Sequence, residues 1–184
     1  MTETVKYDLE AITKKHYSFP YLCYLIIKNR GFRYVFYLRM AGKKGFLKPL
    51  FIFLHSKLSH KMNNEISYKT KIGKGLTLGH PSSIVVNPEA ELGEDISISH
   101  GVTIGMVKSG KRQGVPTLKN HIYIGANASI VGGITIGNDV LIAANSFVDF
   151  DVPDNSLVIG NPGIIKHKDC LLYTSDAADD LIGV

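Results

Sequence analysis

Cysteine is nearly absent from this 184-residue chain: Cys23 and Cys170 are its two, with no metal-ligand spacing and no disulfide framework. That usage fits a reducing compartment, so a cytoplasmic location is expected. Long apolar runs are missing as well. No stretch approaches the roughly 20 uninterrupted apolar residues of a membrane span. The start, Met-Thr-Glu-Thr-Val-Lys-Tyr-Asp, lacks the basic-then-apolar order of a secretory signal. Acidic residues are missing from one long block. Between Glu10 and Glu65 there is none, while Lys14, Lys15, Lys28, Arg30, Arg33, Arg39, Lys43, Lys44, Lys48, Lys57 and Lys61 make eleven basic ones. Such a block suits an anionic lipid surface, an acidic partner or plain solvent.

What is present is ordinary in bulk and unusual in order. Hydrophobic residues make up 45% and charged residues 20%, enough for one core with a helical appendage. The last fifteen residues, "CLLYTSDAADDLIGV" from Cys170, look foreign to the rest and resemble translated sequencing-adapter read-through. They are read as non-native; without Asp176, Asp179 and Asp180 the formal charge rises from +5 to +8.

From Ile66 an aliphatic residue returns every six positions: Ile66, Ile72, Leu78, Ile84. Two residues are then inserted and the series resumes at Leu92, Ile98 and Ile104. After a polar interruption it runs Leu118, Ile124, Ile130, Ile136, Ile142 and Val148. A small or β-branched residue often stands four places later, as at Thr70, Ser82, Val102, Ala128, Val140 and Ser146. A period of six is neither the 3.6 of a helix nor the 2 of a strand. It signals a parallel β-helix, three hexads to a triangular coil, with coils stacked about 4.8 Å apart.

Residues 14–62 read as helices instead. Tyr21, Leu22, Leu25 and Ile26 follow helical spacing, as do Leu47, Leu50, Phe51, Leu54 and Leu58, and Pro20 and Pro49 sit near helix starts. The expected organisation is a basic helical region over 1–62, a β-helix domain over 63–168 and the tail over 169–184.

His80 holds the third place of the hexad starting at Leu78, and His100 the third place of the one starting at Ile98. They are one coil plus the insertion apart and are expected on one face. The interruption Met106–Thr117, "MVKSGKRQGVPT", is expected as a flexible basic loop near that face.

The stretch "IGKGLTLGHPSSIVV" (72–86), with the period around it, resembles the hexapeptide-repeat acyltransferases over residues 65–165, and most closely their serine acetyltransferase group. The resemblance implies a mainly β, left-handed parallel β-helix preceded by a short N-terminal helical region, against the usual right-handed crossover. It implies His80 as general base and, fifteen residues upstream, Glu65 as the carboxylate that orients it; Asp is commoner there in amino-acid-specific members. An alcohol attacks a thioester only as a base removes its proton, and imidazole titrates near neutrality. The implied donor is acetyl-CoA, held between neighbouring β-helices of a homotrimer, with no metal.

The positions matching the family's backbone contacts to that donor are Gly125 and Ala126 in "IGANAS" and Ala143 and Ala144 in "IAANS". Lys108 and Lys166, with Lys111, Arg112 and Lys168, are candidates for its phosphates. The closing "VIGNPGIIKHK" resembles the family's last stretch, with Gly163 where Ala is usual.

Two departures bear on the acceptor. Gly79 stands where the group has Asp before the catalytic His, and Val115 where it has His before Pro116. Gly79, His100 and Val115 are therefore the candidate acceptor-lining residues. A sugar or glycan hydroxyl is expected as acceptor, with serine as the alternative, no nucleic-acid partner, and a possible peripheral contact with anionic membrane. Two other classes are the alternatives: a zinc carbonic anhydrase-like site from His80, His100 and His121, which lacks the two ligands five residues apart, and a non-catalytic scaffold.

Overall fold

The hexad period becomes three stacks of very short parallel strands. The structure, a computed structural model, describes residues 3–13 and 18–167; the tail from Cys170, Lys14, Lys15 and Lys168 lie outside them. The first sheet holds β1 (Glu65–Ile66), β4 (Val85–Val86), β7 (Thr103–Gly105), β10 (Ser129–Val131) and β13 (Phe147–Val148). The second holds β2 (Lys71–Ile72), β5 (Glu91–Leu92), β8 (Thr117–Leu118) and β11 (Thr135–Ile136). The third holds β3 (Thr77–Leu78), β6 (Ile96–Ile98), β9 (Ile122–Ile124), β12 (Leu141–Ile142) and β14 (Ser156–Ile159), closed by an antiparallel β15 (Ile164–His167).

The chain visits the sheets in rotation, so each aliphatic stacks on its equivalent one coil away. Ile66, Val86, Ile104, Ile130 and Val148 are in register on the first sheet. Ile72, Leu92, Leu118 and Ile136 follow on the second, and Leu78, Ile98, Ile124, Ile142 and Val158 on the third. All but the part-buried Ile72 are buried in one continuous core.

This register moves the insertion. Ile66 pairs with Val86, not Ile84, so the two extra residues lie between Leu78 and Val86 and not after Ile84. The corner that carries His80 is itself the enlarged one. Ile84 is buried all the same. It takes the place that Val102, Ala128 and Ser146 hold on later coils, where each carbonyl accepts the first N–H of a neighbouring strand. Aliphatic residues at both 84 and 86 conceal the shift in the sequence.

Among the described residues, four helices precede the coils: α1 (Glu3–Thr13), α2 (Phe19–Lys28), α3 (Arg30–Gly42) and α4 (Lys48–Met62). α1 lies within the helical region over 1–62, and Val5 and Leu9, four residues apart and both buried, give it a helical stripe. Pro20 and Pro49 occupy the first turns of α2 and α4. Asn29 caps α3, its side-chain oxygen accepting the Phe32 N–H at 2.8 Å. Gly31 at the start of α3 lies on the first coil so closely that a Cβ there would sit 2.4 Å from the Leu78 carbonyl oxygen. Tyr34, Val35, Leu38 and Met62 extend the coil core into the helices, whereas Leu47 and Leu50 are exposed.

One buried ion pair fastens helices to coils. Asp8 of α1, 1% exposed, receives the Arg39 Nε at 2.9 Å and the N–H groups of Gly75 at 2.7 Å and Leu76 at 3.2 Å. The Arg39 Nη1 donates to the Ile72 carbonyl at 2.7 Å, and Nη2 donates to Asp8 at 3.3 Å and to the Gly73 carbonyl. Arg39, one of the eleven basic residues of the acid-free block, is thus spoken for structurally. Its partner stands just outside that block.

Removing one member of a buried pair leaves the other charge uncompensated. Asp8→Ala also strips two amides of their acceptor, so urea unfolding should show a loss of about 3–5 kcal/mol. A second effect follows from His55 in α4. It is 6% exposed, its ring lies 5.0 Å from that of Tyr34, and its Nε2 meets no hydrogen-bond partner among the described residues. Burial lowers its pKa below the ordinary 6.5. The unfolded chain then takes up this proton more readily than the folded one, so the His55 contribution is complete above about pH 6.5 and is lost as pH falls. Melting curves between about pH 8 and 5 should show His55→Leu losing less stability toward acid than the parent.

Candidate active site

Three edges join the three sheets, and the site residues divide among them. The edge between the third sheet and the first receives the residue two places after each third-sheet aliphatic. Those residues are His80, His100, Ala126 and Ala144, following Leu78, Ile98, Ile124 and Ile142 on four successive coils. At the spacing of stacked strands the four span about 14 Å. The His80 and His100 rings stand edge to face with centroids 6.5 Å apart, and both residues are exposed.

The backbone explains this ladder. His100 and Ala126 give their carbonyls to Asn127 and Asn145 at 2.9 and 2.8 Å, stitching each corner to the next. Gly125 and Ala143 spend their N–H groups on Ile142 and Val158, also between coils. Among the described residues, the N–H groups of Ala126 and Ala144 donate to no acceptor. A Cβ on Gly125 would lie 2.5 Å from the Ala144 nitrogen, so a larger residue there would disrupt the edge. Of the four positions expected at the donor, two stack the coils and two leave donors unused.

His80 departs from the pattern of later corners. It has φ of +51° and Ser83 one of +56°, both in the left-handed region that costs a non-glycine residue energy. The enlarged turn is held at its far side, where Ser83 donates to the Met62 carbonyl at 3.1 Å and Ile84 to the Asn64 side chain at 3.0 Å. Glu65 begins the first sheet on the coil next to the helices, is exposed, and pairs in register with Val85, five residues past His80. Its N–H donates to the Ile84 carbonyl at 2.7 Å, which ties it to the same corner. No hydrogen bond or ion pair joins the Glu65 and His80 side chains among the described residues. Gly79 stands beside His80, and, its two chain neighbours aside, no described residue lies within 4 Å of where its Cβ would be.

Val115 and Lys108 fall elsewhere. The 106–116 interruption leaves at the edge between the first and second sheets, opposite to the expectation that it hangs beside His80. Nor does it hang loosely. Val107 and Gly114 bridge it into a hairpin, Gly133 donates to the Arg112 carbonyl at 2.9 Å, and Arg112 reaches Asp151 at 3.3 Å. Lys108 is exposed there and Val115 half-buried. Lys166 is exposed on β15, in register with Leu157 of β14, which itself pairs with β12, so it lies two strands beyond the one leading to Ala144. Within one chain, these residues do not meet the histidines.

His121 marks the third edge, between the second and third sheets. Its ring nitrogens lie 3.6 Å from Asp95 and 3.4 Å from Asp139, and the Tyr7 hydroxyl donates to Asp95 at 2.9 Å. The three histidines weighed as a zinc set therefore do not converge. Among the described residues, no group of three or more His, Cys, Asp or Glu is placed to hold a metal ion. Reading the sequence missed both this cluster and the Asp8–Arg39 pair; the equivalence of 80, 100, 126 and 144 was available by counting from the aliphatics.

No protein-family model matches the chain. Among curated proteins it is similar to the serine acetyltransferase of Helicobacter pylori, 39% identical over 105 residues, 57% of this chain and 61% of that one. It is also similar to the putative colanic acid biosynthesis acetyltransferase of Escherichia coli, 36% identical over 102 residues, 55% of this chain and 62% of that one. The chain thus spans about three-fifths of these relatives' length. Among solved structures, a Brucella abortus serine acetyltransferase in complex with coenzyme A superposes with a TM-score of 0.73 at 29% identity, covering 91% of this chain and 68% of that one. A Neisseria gonorrhoeae serine acetyltransferase superposes at 0.74 and 33% identity. That match takes in 97% of this chain and 68% of the other, helices and coils alike, and with it the left-handed β-helix. The chain belongs to the serine acetyltransferase-like group of the hexapeptide-repeat acyltransferases.

Proposed function

We propose that the protein is an acetyl-CoA-dependent O-acetyltransferase whose reaction runs along the edge that carries His80. The observation supporting this is the ladder itself: an imidazole at one end, and two unpaired backbone N–H groups two and three coils further on. The Ala126 and Ala144 amides are donors for the amide carbonyls of an extended pantetheine arm, which brings the thioester toward His80. The coenzyme A complex of the Brucella protein supports the choice of donor.

His80 takes the acceptor's hydroxyl proton as its oxygen bonds to the acetyl carbonyl carbon. The tetrahedral oxyanion then collapses, the C–S bond breaks, and the thiolate leaves with the proton returned by His80 as CoA-SH. Glu65 orients the imidazole and stabilises its protonated form. In the single chain the two share a corner without touching, so this role requires a modest closure of their side chains once substrate is bound. Lys108 and Val115 take part from the neighbouring chain of a homotrimer, because their edge faces away from His80 within one chain and cyclic packing of prisms brings unlike edges together. Lys166 serves the phosphates, and a cytoplasmic location goes with the donor.

His80→Ala should lower kcat by orders of magnitude with little change in acetyl-CoA affinity, because a general base acts mainly in the transition state. Thiol-release kinetics beside a donor titration will read this, and near-normal kcat in the folded variant would remove His80 from the mechanism.

For the acceptor, the names of the relatives weigh toward serine, the first reading. A second reading, a sugar hydroxyl, keeps one specific observation in its favour. Gly79 leaves open space beside His80 and Val115 is apolar, where the group's Asp and His would engage a zwitterion. Sites built on buried polar partners discriminate strongly, and losing those partners weakens a small charged substrate most. The Escherichia coli relative's printed role in colanic acid biosynthesis accords with this. Comparing kcat/KM for serine against simple glycosides and nucleotide sugars decides between them. Efficient serine turnover without sugar activity establishes the first reading, and the reverse pattern, expected from Gly79 and Val115, establishes the second.

A further inference from the structure

The acid-free block ends in a surface that the acyltransferase reading leaves unused. α3 and α4 are joined by a turn, Lys43-Lys44-Gly45-Phe46-Leu47, at whose tip Phe46 is 96% exposed. A phenylalanine with nearly its whole ring in water is costly unless something covers it. The exposure continues along the helix. Leu50, Phe53, Lys57 and Lys61 fall at i, i+3, i+7 and i+11 of α4, a single stripe, and all four are exposed. The opposite side of α4, with His55, Leu58 and Met62, packs inward on α3 and the first coil.

The stripe is therefore apolar near the turn and basic toward the end of α4. Lys44 stands next to the apolar tip, and Lys57 and Lys61 continue beyond it. No ion pair among the described residues takes up any of these three lysines, and the chain has no carboxylate between Glu10 and Glu65 to do so.

We infer that this turn and the outer stripe of α4 dock the protein peripherally on an anionic membrane, with Phe46, Leu47, Leu50 and Phe53 entering the headgroup boundary and the lysines meeting lipid phosphates. An exposed apolar wedge bordered by unpaired lysines fits that interface. Charge separates the lipid from the other obvious occupant, a second copy of this chain. A two-fold contact through the stripe would set Lys44, Lys57 and Lys61 against their own equivalents with no acid from the block to offset them. No described helix is long and apolar enough to cross a membrane, so the contact is superficial. It rests on none of the site residues.

The test is co-sedimentation of the full chain with vesicles of phosphatidylcholine alone, and of phosphatidylcholine with about a third phosphatidylglycerol. Two variants accompany it: Phe46→Ser with Phe53→Ser, and Lys44→Glu with Lys57→Glu. All four positions are exposed, so unchanged melting temperatures are expected and are measured as the control for folding. The parent should pellet with the anionic vesicles and stay in solution with the neutral ones. Added salt should release it, and each double variant should bind at least about tenfold more weakly. Equal binding to both vesicles, no binding at low salt, or undiminished binding by both variants would overturn the inference. So would sedimentation velocity showing trimers joined in pairs that separate on Phe46→Ser, which would assign the surface to a second copy. Binding is read without turnover, so its failure leaves the acetyl-transfer proposal standing, and failure of that proposal leaves this one untouched.

Discussion

Everything in the β-helix depends on one constraint: each coil must lie one strand spacing from the next, with its aliphatics in register. Parallel backbone hydrogen bonds set that distance, and the buried ladders through Ile66, Ile72 and Leu78 set the register. A position within a hexad is thereby also a position on an edge of the prism. Residues tens of places apart in the chain, such as His80 and Ala144, become neighbours on one line because they occupy the same step of the repeat.

Length variation in such a fold must be absorbed at corners, since an extra residue within a strand would turn an inward side chain outward. Among the described residues, two corners are lengthened. The smaller insertion enlarges the corner of His80 and places that residue in left-handed backbone. The larger one forms the 106–116 hairpin on a different edge, pinned by Gly133 and Asp151. Both departures from the repeat carry candidate functional residues, and the regular coils between them supply the rigid spacing. The Asp8–Arg39 pair fixes the helices to the first coil, so the helical end and the histidine end of the molecule coincide.

Hexad counting from the sequence was enough to establish the repeat, two of its three inward ladders and the placing of His80 with His100; the first ladder needed Val86 in place of Ile84. A period is a local property, and each step depends on residues six apart. Gly125–Ala126 and Ala143–Ala144 were singled out by their likeness to a known group, and the structure puts Ala126 and Ala144 on the edge that carries His80. Several features required the tertiary structure. The insertion could not be placed by counting alone because Ile84 and Val86 are both aliphatic, and only the pairing of Val86 with Ile66 distinguishes them. The hairpin was assigned to the wrong edge because proximity along the chain, one hexad after His100, was taken for proximity in space. The Asp8–Arg39 pair joins residues 31 apart, and no periodicity connects a helix at the start of the chain to a corner of the first coil. Composition likewise showed a block of positive charge, but only the packing of α4 against α3 decided which of its side chains face inward and which, like Phe46, remain in water. Registry along a repeat is written in the chain, whereas contact between unlike elements is decided by which surfaces remain once the repeat has folded.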